Sequence, residues 1–318
     1  MAFQVSPGVL VQERDLTRII PAVSTSIGAY GGEFRKGPLD EVVTISSEAE
    51  LVDTFGKPDS NNFEHFFSAA NFLQYSNSLR IVRATQTSHA NANDSGSSLL
   101  IKNLDDYDNN YAGGEIFGGA NYAARTAGAH GNNLLVSVCP SAVAFSQELA
   151  SGNSVASAGA VGDTTVTVDD VDLADNVISV GDIIQFSTTA STTDFDDGEF
   201  YRVTAINTGT NVVTFVQHPR GSGGLKRVVA DNARIKRRWR YYDAVIGGAP
   251  GTSAYVTDRS GSGDEIHVVV VDEDGGITGT PGQIIETFSK LSKAADALTP
   301  QGDTNYLPTV IRNKSQHV

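Results

Sequence analysis

The chain has 318 residues, 40% of them hydrophobic, with 23 basic against 37 acidic side chains and a formal charge of −14. That length supports two or three ordinary domains, and the apolar share excludes a disordered chain. The negative surplus repels phosphate backbones and argues against general nucleic-acid binding, and the one cysteine, Cys139, excludes an internal disulfide. The longest apolar run, IHVVVV at 266–271, falls far short of a membrane span of about 20 residues, and no basic region followed by an apolar run opens the sequence. The expectation is a soluble protein made in a cytoplasm, with no membrane insertion.

In chain order, residues 1–20 read as an arm. SPGVLVQERD, 6–15, alternates Val9 and Val11 with Gln12 and Arg14, and no hairpin turn follows to give it a partner. Residues 21–88 read as the first part of an α/β core. A strand before the glycine-rich turn at 31–38 is followed by a second strand at Val42–Ile45. A short helix then opens on Ser46-Ser47 and ends at Gly56. The stretch 61–76 places Phe63, Phe66, Phe67, Ala70 and Leu73 at helical spacing, capped by Asn61 or Asn62, and LRIVRA at 79–84 reads as a strand. So small a sheet does not stand well alone, so later chain is expected to return to it. The polar stretch 85–98 reads as a linker.

Residues 89–150 and 236–318 read as an outer mixed α/β domain, with a buried strand in GNNLLVSVCP at 131–140 and a longer strand in EIHVVVVDEDGGI at 265–277. Pro281, Ile284, Ile285, Phe288 and Leu291 predict a helix over 281–296. Between the two parts, 151–235 opens on a low-complexity, flexible segment and continues in short β-branched runs bounded by Gly, Asn or Asp. These predict an inserted small β-barrel or sandwich. The fold class is therefore α+β and multidomain, a partial α/β core with β-rich outer domains.

Catalytic chemistry finds no constellation. The six histidines form no HxH or HExxH pair, and neither a GxSxG elbow nor a GxxxxGK[ST] loop is present. No cofactor, metal or enzymatic activity is expected. In DEDGG at 272–276, a calcium loop would put its closing glutamate at Pro281, so a tight hairpin turn is the better reading. DDYDNN at 105–110 reads as a solvated acidic loop, and GGEFRKGP at 31–38 as a plain turn. RIKRRWR is the one strongly basic run. As a strand it sets Arg234, Lys236, Arg238 and Arg240 on one face, against Ile235, Arg237 and Trp239 on the other. That face either is wet and meets nearby acids, or docks on an acidic neighbouring subunit.

SPGVLVQERD, GAYGGEFRKGPLDEVVTISSEAELVDTFGKP and FFSAANFLQYSNSLRIVRA, in that order, resemble the N-terminal region of the tail sheath proteins of contractile-tailed bacteriophages. AGAHGNNLLVSVCP and HVVVVDEDGGITGTPGQIIETFSKLSKAADA are similar to the same family, with His130 where an aromatic is frequent; 151–235 is less matched. The resemblance implies a structural subunit of the virion tail, assembled in the bacterial host cytoplasm. It implies a homo-oligomer of stacked six-fold rings around a tail tube protein, with baseplate and tail terminator proteins as further partners. Contraction of the sheath drives the tube through the host envelope. It also implies that the arm, through Val9, Val11, Gln12 and Arg14, adds a strand to a sheet in a neighbour. Family members are usually longer, with a C-terminal region that completes the core, receives the arm and grips the tube, and this chain stops before that region. The alternatives are the sheath of a related contractile injection system and a surface module whose β-insert binds glycan.

Overall fold

The computed structural model describes residues 26–84, 89–112, 120–171, 177–195 and 198–318. The arm at 1–20, with Val9, Val11, Gln12 and Arg14, lies outside the described residues. The chain divides into two compact units: one of residues 1–89 and 102–107, the other of residues 90–101 and 108–318.

The first unit contains β1 (Gly28–Gly32), β2 (Val42–Ile45), α1 (Glu48–Phe55), α2 (Phe63–Leu73) and β3 (Leu79–Arg83). β3 is central, parallel to β1 and antiparallel to β2. α1 starts where the sequence marks it: the Ser47 hydroxyl accepts the Glu50 N–H, and the chain leaves the helix at Gly56 with φ 85°. Before α2, Asp59 accepts the Asn61 and Asn62 N–H groups, while Asn62 accepts that of Asp59. One sheet face carries Ile45, Leu79 and Ile81 into a core with Phe34, Leu51, Phe55, Phe66, Ala69 and Ala70. Later chain does return here: the Leu39 N–H donates to Lys102 O at 2.7 Å, and Asn103 Nδ2 donates to Leu39 O at 3.0 Å. The acidic stretch expected as a loop is helix α3 (Leu104–Asn110), its start held by Asn103 Oδ1 accepting the Asp106 N–H while Asp106 accepts the Lys102 N–H.

The second unit has two sheets. β4 (Leu134–Cys139), β11 (Glu265–Asp272) and β12 (Gln283–Ser292) form one, in antiparallel order β12-β11-β4. Every residue of β11 is buried. One face of the sheet packs Cys139, Val269 and Val271 against Trp239, Tyr241 and Val245. The other packs Ile266, Val268 and Leu291 against Val310 and Ile311 of α6 (Leu307–Lys314). Short helices α4 (Ala142–Phe145) and α5 (Ala254–Thr257) complete this part, each capped by a serine hydroxyl.

The segment 281–296, expected as a helix, is therefore largely strand. Ile284 opposes Val271, Phe288 opposes Val268 and Leu291 opposes Ile266, with register shifts beside Ile266 and Val270. β12 advances by four and then three residues while β11 advances by three and then two, so each β-bulge inserts one residue. Two bulges reproduce the spacing of a helix face. The physical reason is backbone demand: buried β11 has two edges of N–H and C=O groups, β4 satisfies one, and β12 satisfies the other. The DEDGG segment is indeed within a hairpin connection, but a ten-residue one, 273–282, organised by Asp272. Its Oδ2 accepts the Ile277 N–H, the Thr278 N–H and the Thr278 hydroxyl.

The second sheet of this unit runs β5 (Ser146–Glu148), β10 (Ala233–Arg238), β7 (Ile183–Ala190), β8 (Phe200–Asn207), β9 (Val212–His218), β6 (Thr165–Thr167), with antiparallel neighbours throughout. Its core gathers Leu149, Val155, Phe186, Tyr201, Val203, Phe215 and Ile235. The chain enters through β5 and leaves through β10, which pair with each other, so 149–235 departs from and returns to adjacent backbone positions. Closure into a barrel is absent among the described residues. β5 and β6 end the sheet at opposite edges, and each is only three residues long. The low-complexity segment expected to be flexible contributes Asn153 and Val155, both fully buried, and Val155 bridges Val168.

Candidate assembly surfaces

Among the described residues no group of three or more His, Cys, Asp or Glu side chains is placed to hold a metal ion. The side chains that could carry function are on surfaces. In the first unit, the sheet face turned away from α1 and α2 is exposed among the described residues. Its two cross-strand rows are Ala29–Arg80–Thr44 and Gly31–Val82–Val42, all exposed. The glycine-rich turn beside it is organised from inside. Arg83, 3% exposed, donates to Phe34 O at 3.0 Å, Gly37 O at 2.9 Å and Arg35 O at 3.4 Å. Burial lowers the pKa of that guanidinium to about 10. Gly37 has φ 108° and a Cβ there would sit 2.8 Å from the Phe55 ring, so glycine is required. Carbonyls aimed at an arginine cannot cradle a phosphate, in keeping with the plain turn.

In the second unit the basic run divides differently from the alternation expected. β10 ends at Arg238, so Arg240 lies beyond the strand. Arg234 donates through Nη2 to Leu149 O, and Lys236 Nζ lies 3.9 Å from Glu148. Arg237 lies 3.6 Å from Asp182, whose carboxyl is pushed up to about 6 by burial. Trp239 turns away into the core beside β11 and donates its indole N–H to Ser137 Oγ at 2.9 Å. Arg238 and Arg240 are held by rings instead: Arg238 lies 5.0 Å from the centroid of Phe200 and 5.2 Å from that of Tyr242, and Arg240 5.1 Å from that of Tyr241.

Arg202 on β8 joins this group. Arg238 and Arg202 both pair with Ile183, one from each side, so they share a sheet face with Phe200 and, across β8 and β9, His218. The basic run in the sequence does not reveal Arg202. The signal was available in EFYRV, where Phe200 and Arg202 alternate with core residues Tyr201 and Val203.

Residues 25–84 match the family model described as tail sheath protein Gp18 domain III N-terminal region. The tail sheath protein of Enterobacteria phage T4 is 37% identical over 100 residues, 31% of this chain and 15% of the relative. That of Vibrio phage KVP40 is 38% identical over 78 residues, 24% of this chain and 12% of the relative. The tail sheath protein of Salmonella phage ViI is 26% identical over 334 aligned positions, covering 100% of this chain and 49% of the relative. The chain thus spans about half or less of the curated relatives it matches. Its sequence is similar to bacteriophage tail sheath proteins, at 37–38% identity over stretches of 78–100 residues and at 26% along its full length.

Proposed function

We propose that the chain is a structural, non-enzymatic subunit of a contractile phage tail sheath, located in the virion tail and assembled in the host cytoplasm. Copies stack as six-fold rings around the tail tube, bounded by baseplate and tail terminator proteins, and contraction drives the tube through the host envelope. The observation that carries the reading is the alignment of all of this chain with a tail sheath protein, reinforced by the match of residues 25–84 to a sheath domain region.

Residues 1–20 couple the copies. Backbone groups of a lone strand point sideways and need a neighbour, and a strand lent to the sheet of another copy meets that need. Val9 and Val11 face the recipient core, and Gln12 and Arg14 face away. Four to six ladder bonds at about 0.5–1.5 kcal/mol each give roughly 2–9 kcal/mol before ordering entropy. The link can persist while the subunit bodies turn past one another. Deleting residues 1–15 leaves subunits with native circular dichroism that build no extended sheath under the electron microscope. Normal sheaths from the deletion variant would refute the coupling.

A further inference from the structure

Arg202, Arg238 and Arg240 stand out in an acidic protein because none forms an ion pair or a side-chain hydrogen bond among the described residues. Their neighbours Arg234, Lys236 and Arg237 are all engaged within the chain. Arg238 and Arg202 flank Ile183 on one sheet face, so two strand spacings, roughly 10 Å, separate their backbones. Arg240 approaches the same end of β7, its Cδ 3.3 Å from the position a Cβ would take on Gly181. Between them lies Tyr241, 5% exposed, whose buried hydroxyl has no hydrogen-bond partner among the described residues. Arg202 and Arg240 both act electrostatically on that hydroxyl.

Stacking explains how these cations are held without anions. A guanidinium lying on a ring uses its face and keeps the N–H groups of its edge for a planar acceptor. Arg238 between Phe200 and Tyr242, and Arg240 on Tyr241, are therefore oriented before any partner arrives, which lowers the entropy lost on binding. The nearby carboxylates, Asp243 and Glu273, influence His218 and Tyr241 but pair with none of the three arginines. Bidentate donors in this arrangement fit carboxylates.

We infer that Arg202, Arg238 and Arg240 form a docking surface for an acidic segment of a second copy of this chain. Charge complementarity selects that occupant: each copy carries 14 more carboxylates than cations, while the same surplus repels nucleic acid. The inference rests on the assembly reading above, which brings many copies into contact.

Sedimentation velocity of the 318-residue chain tests it. Self-association is expected to weaken about tenfold or more between about 0.05 M and 0.5 M salt, and to a similar extent in R202Q/R238Q/R240Q at low salt. In R202K/R238K/R240K, carbodiimide coupling of a mixture of isotopically light and heavy copies is expected to join a new lysine to a carboxylate of the other copy. This second variant keeps the test sharp should the glutamine variant fold poorly. A chain that stays monomeric at low salt, association indifferent to the glutamine changes, or cross-links confined to one copy would each overturn the docking surface. So would tight binding of a DNA oligonucleotide that the glutamine changes abolish, which would reassign the patch to phosphate. Association lost on deleting residues 1–15 yet unchanged in the glutamine variant would sink this surface and leave the sheath reading standing.

Discussion

Replacing His267 by leucine tests the packing logic of the second unit most directly. His267 is fully buried in β11, at the point where β12 slips its register. Ser289 and Lys290 together lie between the pairs Ile266–Leu291 and Val268–Phe288, and Lys290 takes φ 55°, the left-handed region unusual for a residue with a side chain. The Lys290 N–H leaves the ladder and donates to His267 Nδ1 at 2.9 Å, while His267 Nε2 lies 2.9 Å from Gly248 O. A backbone N–H only donates and a carbonyl only accepts, so the neutral ring protonated on Nε2 satisfies both. Trp239 stacks on the ring with centroids 6.4 Å apart, and Phe145 meets it edge-on at 6.0 Å. Leucine keeps the apolar bulk but takes the acceptor from the Lys290 N–H and the donor from Gly248 O. Gly248 is exposed and its carbonyl can turn to water, so the loss is about 1–3 kcal/mol at pH 7 and comes from the Lys290 N–H. That is a large fraction of a typical domain stability of about 5–15 kcal/mol.

The same residue sets a pH dependence. Burial lowers the His267 pKa below the usual histidine value near 6.5, although Gly248 O and Glu265 oppose the shift and Lys290 adds to it. Below about pH 6.5 the unfolded chain takes up a proton at this position before the folded chain does. Stability from His267 is thus complete above that pH and is lost as pH falls toward the folded pKa. The stability difference between wild type and H267L should shrink between pH 7 and pH 5. Urea unfolding followed by fluorescence of Trp239, the single tryptophan and a neighbour of the ring, measures both quantities. A loss under about 0.5 kcal/mol at pH 7, or a difference that stays constant with pH, would refute the assignment.

Two further substitutions probe the other cores. Arg83→Leu strips three backbone carbonyls of their shared donor and should cost about 3 kcal/mol or more, with faster hydrogen exchange over residues 34–37. R83K should not rescue it, because one ammonium cannot span three acceptors; unchanged exchange would count against the role given to Arg83. Phe186, 1% exposed, meets Tyr201 and Phe215 at 5.8 Å each, so Phe186→Ala should destabilise the second unit by about 3–5 kcal/mol in a calorimetric scan. A loss below about 1 kcal/mol would mean that the three rings are not the centre of that core.

Much of the first unit was legible because its signals are local. Ser47, Gly56 and the spacing of Phe66, Ala70 and Leu73 act within a few residues, so α1, α2 and β3 follow from propensity and periodicity. The acidic stretch at 105–110 reads as a loop in the sequence because its cap comes from Asn103, just outside the charged run. Of the proposed contact residues, Arg238 and Arg240 were visible in the basic run. Which of that run's cations remain uncommitted was not, since Leu149, Glu148 and Asp182 reach them from distant parts of the chain.

The strand runs of 163–218, the caps of α1 and an acidic chain without a recognisable catalytic motif are legible from the residues alone, because they depend on residue type and near neighbours. Contacts distant in sequence make 283–292 a strand, leave the six-stranded sheet without closure into a barrel among the described residues, and set Arg202 beside Arg238. In each case the deciding force is the pairing of backbone groups across long sequence separations. A buried edge such as that of β11 must be satisfied whatever the local preference of the segment that satisfies it.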